Sequence, residues 1–245
     1  MAFESLQGVF STVILLCAGI AALLGLIFVN KLFKKKSQQL DGIVLFTFSF
    51  LTLGYIALAL GELTRFLLFS VFKQPPAISM PDLYWVVGGL SLLIAYVVFS
   101  VHLHRKYAES GKAVALAIIS VAVLAVLLFY FSSVDFFSGT GTGEKFLGYY
   151  YPIISSLVLV ASLSVYLYIG KVSTFKEGLL FFIPANIATL IGDMLYNYYN
   201  YMDYATQGIY GLVGMGADVL YVIGYALFAI GFLALFLKLK EIHES

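Results

Sequence analysis

Seven apolar stretches, each about as long as a bilayer core is thick, run along the chain with short polar segments between them. They cover Val9–Phe33, Gly42–Phe69, Leu83–Val101, Ala113–Val134, Tyr151–Ile169, Gly178–Tyr199 and Val213–Leu237. Runs of about 20 apolar residues, apolar on every face, are expected to cross a membrane as helices, because a helix satisfies its backbone polar groups internally. The pattern therefore predicts an all-α integral membrane protein with seven transmembrane helices, formed as one membrane domain over residues 1–245. The second stretch is over-long, which predicts a tilt or a last turn above the hydrocarbon. Pro184 lies inside the sixth, where the missing donor predicts a kink.

Composition strengthens this picture. The 245 residues are 62% hydrophobic and 11% charged, with a mean hydropathy of +0.99. A soluble domain carries about 25% charged residues, and this excess of apolar side chains has no place in one water-soluble core. The lipid bilayer is thus the first expected partner, and a net charge of +1 argues against nucleic acid. Cys17 is the only cysteine, so no internal disulfide or cysteine metal cluster is available, and it reads as a small hydrophobe. The first stretch has no basic residue before it and no obvious small-residue cleavage site, so it reads as a retained helix rather than a signal peptide.

Charge sets the expected orientation. Lys31, Lys34, Lys35 and Lys36 follow span one, Arg105, Lys106 and Lys112 follow span three, Lys171 and Lys176 follow span five, and Lys238 and Lys240 close the chain. The alternate connections carry Lys73 and Lys145 beside Asp135, Glu144 and Asp203. By the positive-inside rule the N-terminus is outside and the C-terminus cytoplasmic, in a multi-pass protein of the cell (plasma) membrane. The outer connections then include Lys73-Gln74-Pro75-Pro76 and the polar Ser138–Gly143 loop. The tyrosines at 149–151, 198, 199 and 201 fit the aromatic belt found at membrane interfaces, or an aromatic wall around an outer pocket.

An internal repeat is expected. Pro81-Asp82-Leu83-Tyr84-Trp85-Val86-Val87-Gly88 aligns without a gap on Ala217-Asp218-Val219-Leu220-Tyr221-Val222-Ile223-Gly224, at an offset of 136 residues from Asp82 to Asp218. Gly61-Glu62 aligns on Gly192-Asp193 at an offset of 131. The halves are about 4–105 and 144–240, with a connector helix at about 113–134, a 3+1+3 arrangement of parallel repeats.

Carboxylates at bilayer depth are costly and usually face a partner or a wet cavity. Topology puts Glu62, Asp82, Asp193 and Asp218 at one depth near the outer face. Asp82 and Asp218 begin their predicted spans, where a carboxylate can cap free N–H groups. Glu62 and Asp193 come late in theirs, where capping gives no reason for a negative charge. Arg65 shares a helix face with Glu62, and Tyr196 shares one with Asp193, with Asn197 one position beyond. An outward pocket between spans two, three, six and seven is expected, with Asp193, Glu62, Asp218, Asp82 and Arg65 meeting a small-molecule or lipid ligand. Tyr196, Asn197, Tyr221 and Trp85 would wall it.

The pattern Gly192-Asp193-x-x-Tyr196, a tyrosine-rich turn ending near Gly208, then Asp218-x-x-Tyr221-x-x-Gly224-Tyr225-Ala226-Leu227-Phe228-Ala229 carries a family resemblance. It resembles the end of the seven- or eight-helix membrane sensor domains that precede histidine-kinase, PAS or diguanylate-cyclase modules in bacteria and archaea. The resemblance covers mainly residues 186–235 and more weakly 55–100. It implies an outer or intramembrane ligand site that reports to the cytoplasm. The sequence departs from the family in ending at Ser245, directly after span seven, so signalling is expected to pass through a separate cytoplasmic or membrane protein partner.

Other chemistries are weaker. A retinal pigment needs a lysine in the middle of its last helix, and the centre of span seven, Tyr225 to Gly231, has none; no cofactor is expected. His102-x-His104 is spaced so that the two rings diverge on a helix, which with His243 suits a basic rim better than a metal site. No hydrolase, metalloprotease or phosphate-loop motif is present, and the chain is not expected to be an enzyme. The alternative function is a proton, cation or small-solute transporter entered at the acids, with Thr47, Ser49, Thr52, Ser91, Asn186 and Thr189 as inner polar positions. A structural subunit of a membrane complex is the second alternative.

Overall fold

The computed structural model describes residues 2–35, 42–72, 79–107, 109–132, 141–168, 170, 175–202 and 210–244. Among these there are seven long helices and no strand: α1 (Ala2–Lys35), α2 (Gly42–Phe66), α3 (Met80–Tyr107), α4 (Ser110–Ser132), α5 (Thr142–Leu167), α6 (Lys176–Met202) and α7 (Tyr210–Glu244). All seven are long and apolar enough to cross a membrane. The chain is a seven-helix, multi-pass membrane protein by length and composition.

The boundaries differ from expectation in three informative places. The over-long second stretch is helical through Phe66 and then widens into a π turn at Leu67–Val71, the form a helix takes when one extra residue is accommodated. The fifth helix begins at Thr142 rather than Tyr151, so Pro152 becomes an interior residue of α5. Gly141 stands at its N-cap, where its N–H donates to Glu144 Oε2 at 3.0 Å. Polar Thr142 to Lys145 hid this start, because apolar content rather than helix capping marked the expected boundary. The third difference is at Asp218, which lies two turns inside α7 rather than at its start. Pro184 sits within α6, which continues as one helix past it. The connections holding Lys36, Lys73, Pro75, Pro76, Asp135, Lys171 and Asp203 fall outside the described residues, as do residues 138–140 of the 138–143 loop.

Six helices close a ring in the order α1, α2, α3, α5, α6, α7 and back to α1, while α4 packs against α5 on the outside. Two close pairs dominate, α2 with α3 and α6 with α7. Both owe their closeness to glycine, since helices in lipid gain little from apolar burial and associate by tight packing instead. A Cβ on Gly88 would sit 3.1 Å from the carbonyl of Gly54, and one on Gly54 would meet Leu92 at 2.7 Å. A Cβ on Gly178 would sit 2.7 Å from the carbonyl of Gly231, and one on Gly231 would lie 3.0 Å from that of Gly178. Further along the same pairs, the Trp85 indole packs on the bare backbone of Gly61, and the Tyr221 ring lies 3.1 Å from a Cβ position on Gly192.

The ring is filled asymmetrically along its length. Toward the lysine-rich end, Phe28, Phe48, Phe99, Phe175, Phe182, Phe228 and Phe232 form one buried cluster with Tyr55, Tyr96 and the surrounding leucines. Edge-on contacts such as Phe28–Phe48 (centroids 5.0 Å) and Phe182–Phe232 (5.2 Å) lock the rings together. At that end His104 Nδ1 is 2.8 Å from the Tyr168 hydroxyl, and Lys31 and Lys112 lie over the Phe236 and Tyr168 rings. His104 is thereby tied to α5. Toward the other end the ring opens.

Candidate functional site

The open end holds a cavity of about 90 Å³. That is room for several water-sized groups rather than for one bare ion, since a single water takes about 10–15 Å³ on the same measure. Five helices line it: α2 (Leu58, Glu62, Arg65), α3 (Trp85, Gly89, Leu92), α5 (Tyr151, Ile154, Ser155, Val158), α6 (Asn186, Thr189, Asp193, Tyr196, Asn197) and α7 (Tyr221, Tyr225, Phe228).

Glu62 and Arg65 are one helical turn apart on α2, which turns both side chains into the ring. Arg65 Nη1 stands 3.7 Å from Glu62 Oε2, and both residues are more than nine-tenths buried. The Tyr225 hydroxyl donates to Glu62 Oε1 at 3.2 Å, closing the carboxylate from the α7 side. The Arg65 guanidinium also lies 5.6 Å from the centre of the Tyr196 ring and within electrostatic reach of Asp218. One cation thus serves two carboxylates from two helices. A charged group buried this deeply is tolerated only when paired.

Asp193 is held differently. Its Oδ2 accepts from the Ser155 hydroxyl of α5, and its Oδ1 accepts from the Tyr221 hydroxyl of α7 at 2.7 Å. Both partners are neutral, and among the described residues Asp193 forms no ion pair. Asn197, one turn on, is buried and donates from Nδ2 to the Gly148 carbonyl at 2.8 Å, which fixes α6 against α5. The Trp85 indole N–H is buried beside Glu62 and makes no hydrogen bond of ordinary geometry among the described residues.

Of the nine expected site residues, Glu62, Arg65, Trp85, Asp193, Tyr196, Asn197 and Tyr221 line the cavity. Two do not. Asp218 is buried behind it, where it faces Arg65; because it is inside α7, it caps nothing. Asp82 Oδ2 accepts from the Ser79 N–H at 2.9 Å, a capping contact at the start of α3, and its Oδ1 accepts from Tyr151 at 2.8 Å. Asp82 therefore positions a wall residue without touching the space itself.

The largest departure from the sequence reading is α5, which supplies four lining residues to a pocket expected from spans two, three, six and seven alone. Tyr150 donates to the Val86 carbonyl and Tyr151 to Asp82, so these two tyrosines bind α5 to α3 rather than sitting idle in an interfacial belt. Tyr149 and Tyr198 are exposed, as the belt predicts; the side chains of Tyr199 and Tyr201 fall outside the described residues. At the floor, Asn186 and Thr189 of α6 line the space. Asn186 adjoins Tyr96, which adjoins Tyr55, and among the described residues none of the three has a hydrogen bond of ordinary geometry for its buried polar tip. Comparison of the chain with protein-family models, curated proteins and solved structures finds no match.

Proposed function

We propose that this protein is a receptor-like membrane module that binds a small ligand in the ring cavity and passes a helix shift to a separate partner. The observation that carries the reading is that the cavity is one-sided. It is polar and charged at Glu62, Arg65 and Asp193, and it ends at Asn186 and Phe228, beyond which the ring is packed with aromatic side chains. A binding site needs such a floor, whereas a conduit needs a way through it.

The matched contacts of the two close helix pairs support a 3+1+3 repeat. At the offsets of 131 and 136 residues, Gly61 under Trp85 pairs with Gly192 under Tyr221. Gly88 against Gly54 and Leu58 pairs with Gly224 against Ala185 and Thr189. The closed six-helix order, with α4 outside, fits the same repeat about an axis along the membrane normal. The pocket then lies near that axis, and Glu62 and Asp193 are repeat-related acids with different partners. A rotation of one half against the other would change the distance between them, which gives a ligand touching both a means to shift the helices. With the basic end cytoplasmic and the pocket outward, in the plasma membrane, the shift would emerge where Lys34, Arg105 and Lys240 face a partner.

Transport is the second reading. The polar tips of Asn186 at the floor and of Tyr96 and Tyr55 beyond it favour it, because they begin a polar line toward the opposite end. Flux measurements separate the two. Reconstituted in liposomes, the protein is expected to leave proton and monovalent-cation gradients as intact as protein-free liposomes do. A saturable flux that disappears in Asp193→Asn would replace the receptor reading with transport.

A further inference from the structure

Resting on the reading of the cavity as a ligand site, we propose that its ligand is an organic ammonium compound, bound with its cationic head at Asp193. Among the described residues the cavity lining contains one basic side chain, Arg65, and two acidic ones, Glu62 and Asp193, so it holds one acid more than it has cations. Arg65 is already committed to Glu62 and faces Asp218. Among the described residues Asp193 has only neutral hydroxyl partners, and a half-buried carboxylate of that kind is suited to a cation that arrives with the ligand.

The walls suit the same class. Trp85, Tyr151, Tyr196, Tyr221, Tyr225 and Phe228 all face the space, and aromatic rings stabilise alkylammonium groups through their electron-rich faces. A hydrated metal ion gains little from such a lining, while an organic cation gains from ring and carboxylate together. Leu58, Leu92, Ile154 and Val158 supply apolar surface for the rest of the molecule.

A second, independent feature points to a ligand at the far end. Asn186 is 3% exposed, lines the cavity, and its Nδ2 makes no hydrogen bond of ordinary geometry among the described residues, although it adjoins the Tyr96 hydroxyl. A buried amide donor left unmade is costly, and an acceptor on the ligand would satisfy it. Asn186 and Asp193 are seven residues apart on α6, about 10 Å along the helix. The favoured occupant therefore has an ammonium head, an apolar middle and a hydrogen-bond acceptor about 10 Å from the charge. A soluble amine and the ammonium head group of a phospholipid both have this chemistry.

Trp85 is the only tryptophan of the chain and sits in the wall, so its fluorescence reports on the site directly. The test titrates phenyltrimethylammonium, and separately its neutral isostere tert-butylbenzene, into the protein in nanodiscs of phosphatidylglycerol. The ammonium compound is expected to change Trp85 emission saturably and to bind at least about tenfold more tightly than the isostere, as carboxylate and cation–π contacts together would give. Asp193→Asn should abolish that preference. Because the comparison of the two compounds is made on the unaltered protein, it does not depend on the variant folding.

Equal binding of both compounds would overturn the ammonium inference and leave the cavity as a ligand site. No change with either compound would overturn both. Repeating the titration in phosphatidylcholine discs distinguishes the sources: competition by the lipid identifies a lipid head group, and unchanged affinity identifies a soluble amine.

Discussion

Replacing Arg65 with methionine is expected to destabilise the protein by about 3–5 kcal/mol, the usual cost of breaking a buried ion pair from one side. Methionine keeps much of the length and apolar stem of arginine, so packing is little changed and the loss is electrostatic. Glu62 would be left buried with one tyrosine hydroxyl, and Asp218 would lose the cation it faces. Reversible denaturation in mixed detergent micelles measures the loss. Adding Glu62→Gln to Arg65→Met should recover part of the stability, since a neutral amide can share hydrogen bonds with Tyr225. Recovery should be incomplete because Asp218 stays uncompensated. Full stability in Arg65→Met alone would mean that these charges are not coupled as described.

The second large effect is expected at the α6–α7 crossing. Gly178→Val places a branched side chain against Leu235 and the backbone carbonyl of Gly231, which a Cβ alone approaches to 2.7 Å. A backbone carbonyl has no rotamer by which to escape, so the helices must separate. The expected cost is about 3 kcal/mol, at the upper end of the range for overpacking. A lower midpoint of heat-induced aggregation in detergent would register it. Gly19→Val is the control, because a Cβ there meets nothing within 4 Å. Comparable losses in both variants would show that glycine acts through helix propensity rather than close approach.

Much of this was legible in the sequence, and the reasons for the rest are physical. Seven helices follow from apolar length alone, since a bilayer demands about 20 apolar residues per crossing. Glu62, Arg65, Asp193 and Tyr221 were visible because charge and hydrogen-bonding groups are rare within such stretches. The role of α5 was not visible. Ser155 and Tyr151 lie among other serines and tyrosines that look like ordinary membrane-helix residues, and only the closing of the ring brings them to Asp193 and Asp82. A signal was present in the hydroxyl content of α5, where Ser155, Ser156, Ser162 and Ser164 are all buried. Asp218 was misplaced for a related reason. The apolar pattern starts span seven at Val213, with Asp218 near its outer end, yet α7 starts at Tyr210, so an apparent cap is an interior charge. Tyr225, which holds Glu62, carries no sequence signal of that role, because its partner lies on α2 and nothing local announces the pairing.

The difference between Glu62 and Asp193 bears on the proposed ligand site. Glu62 is satisfied from within the protein by Arg65 and Tyr225, and so contributes a fixed ion pair to the wall. Asp193 is oriented by two hydroxyls from α5 and α7 and has no cation beside it among the described residues. A ligand that pairs with Asp193 would therefore draw on three helices at once, and α5 and α7 belong to opposite sides of α6 in the ring.

The most direct measurement is native mass spectrometry of the protein released from its own membranes, followed by identification of what leaves it. A pocket that binds a ligand predicts a discrete small-molecule or lipid adduct on the unaltered chain. The same adduct should be missing from Asp193→Asn protein of matching thermal stability. A bare polypeptide mass in both, or the same adduct in both, would contradict the assignment of the cavity as a ligand site organised around Asp193.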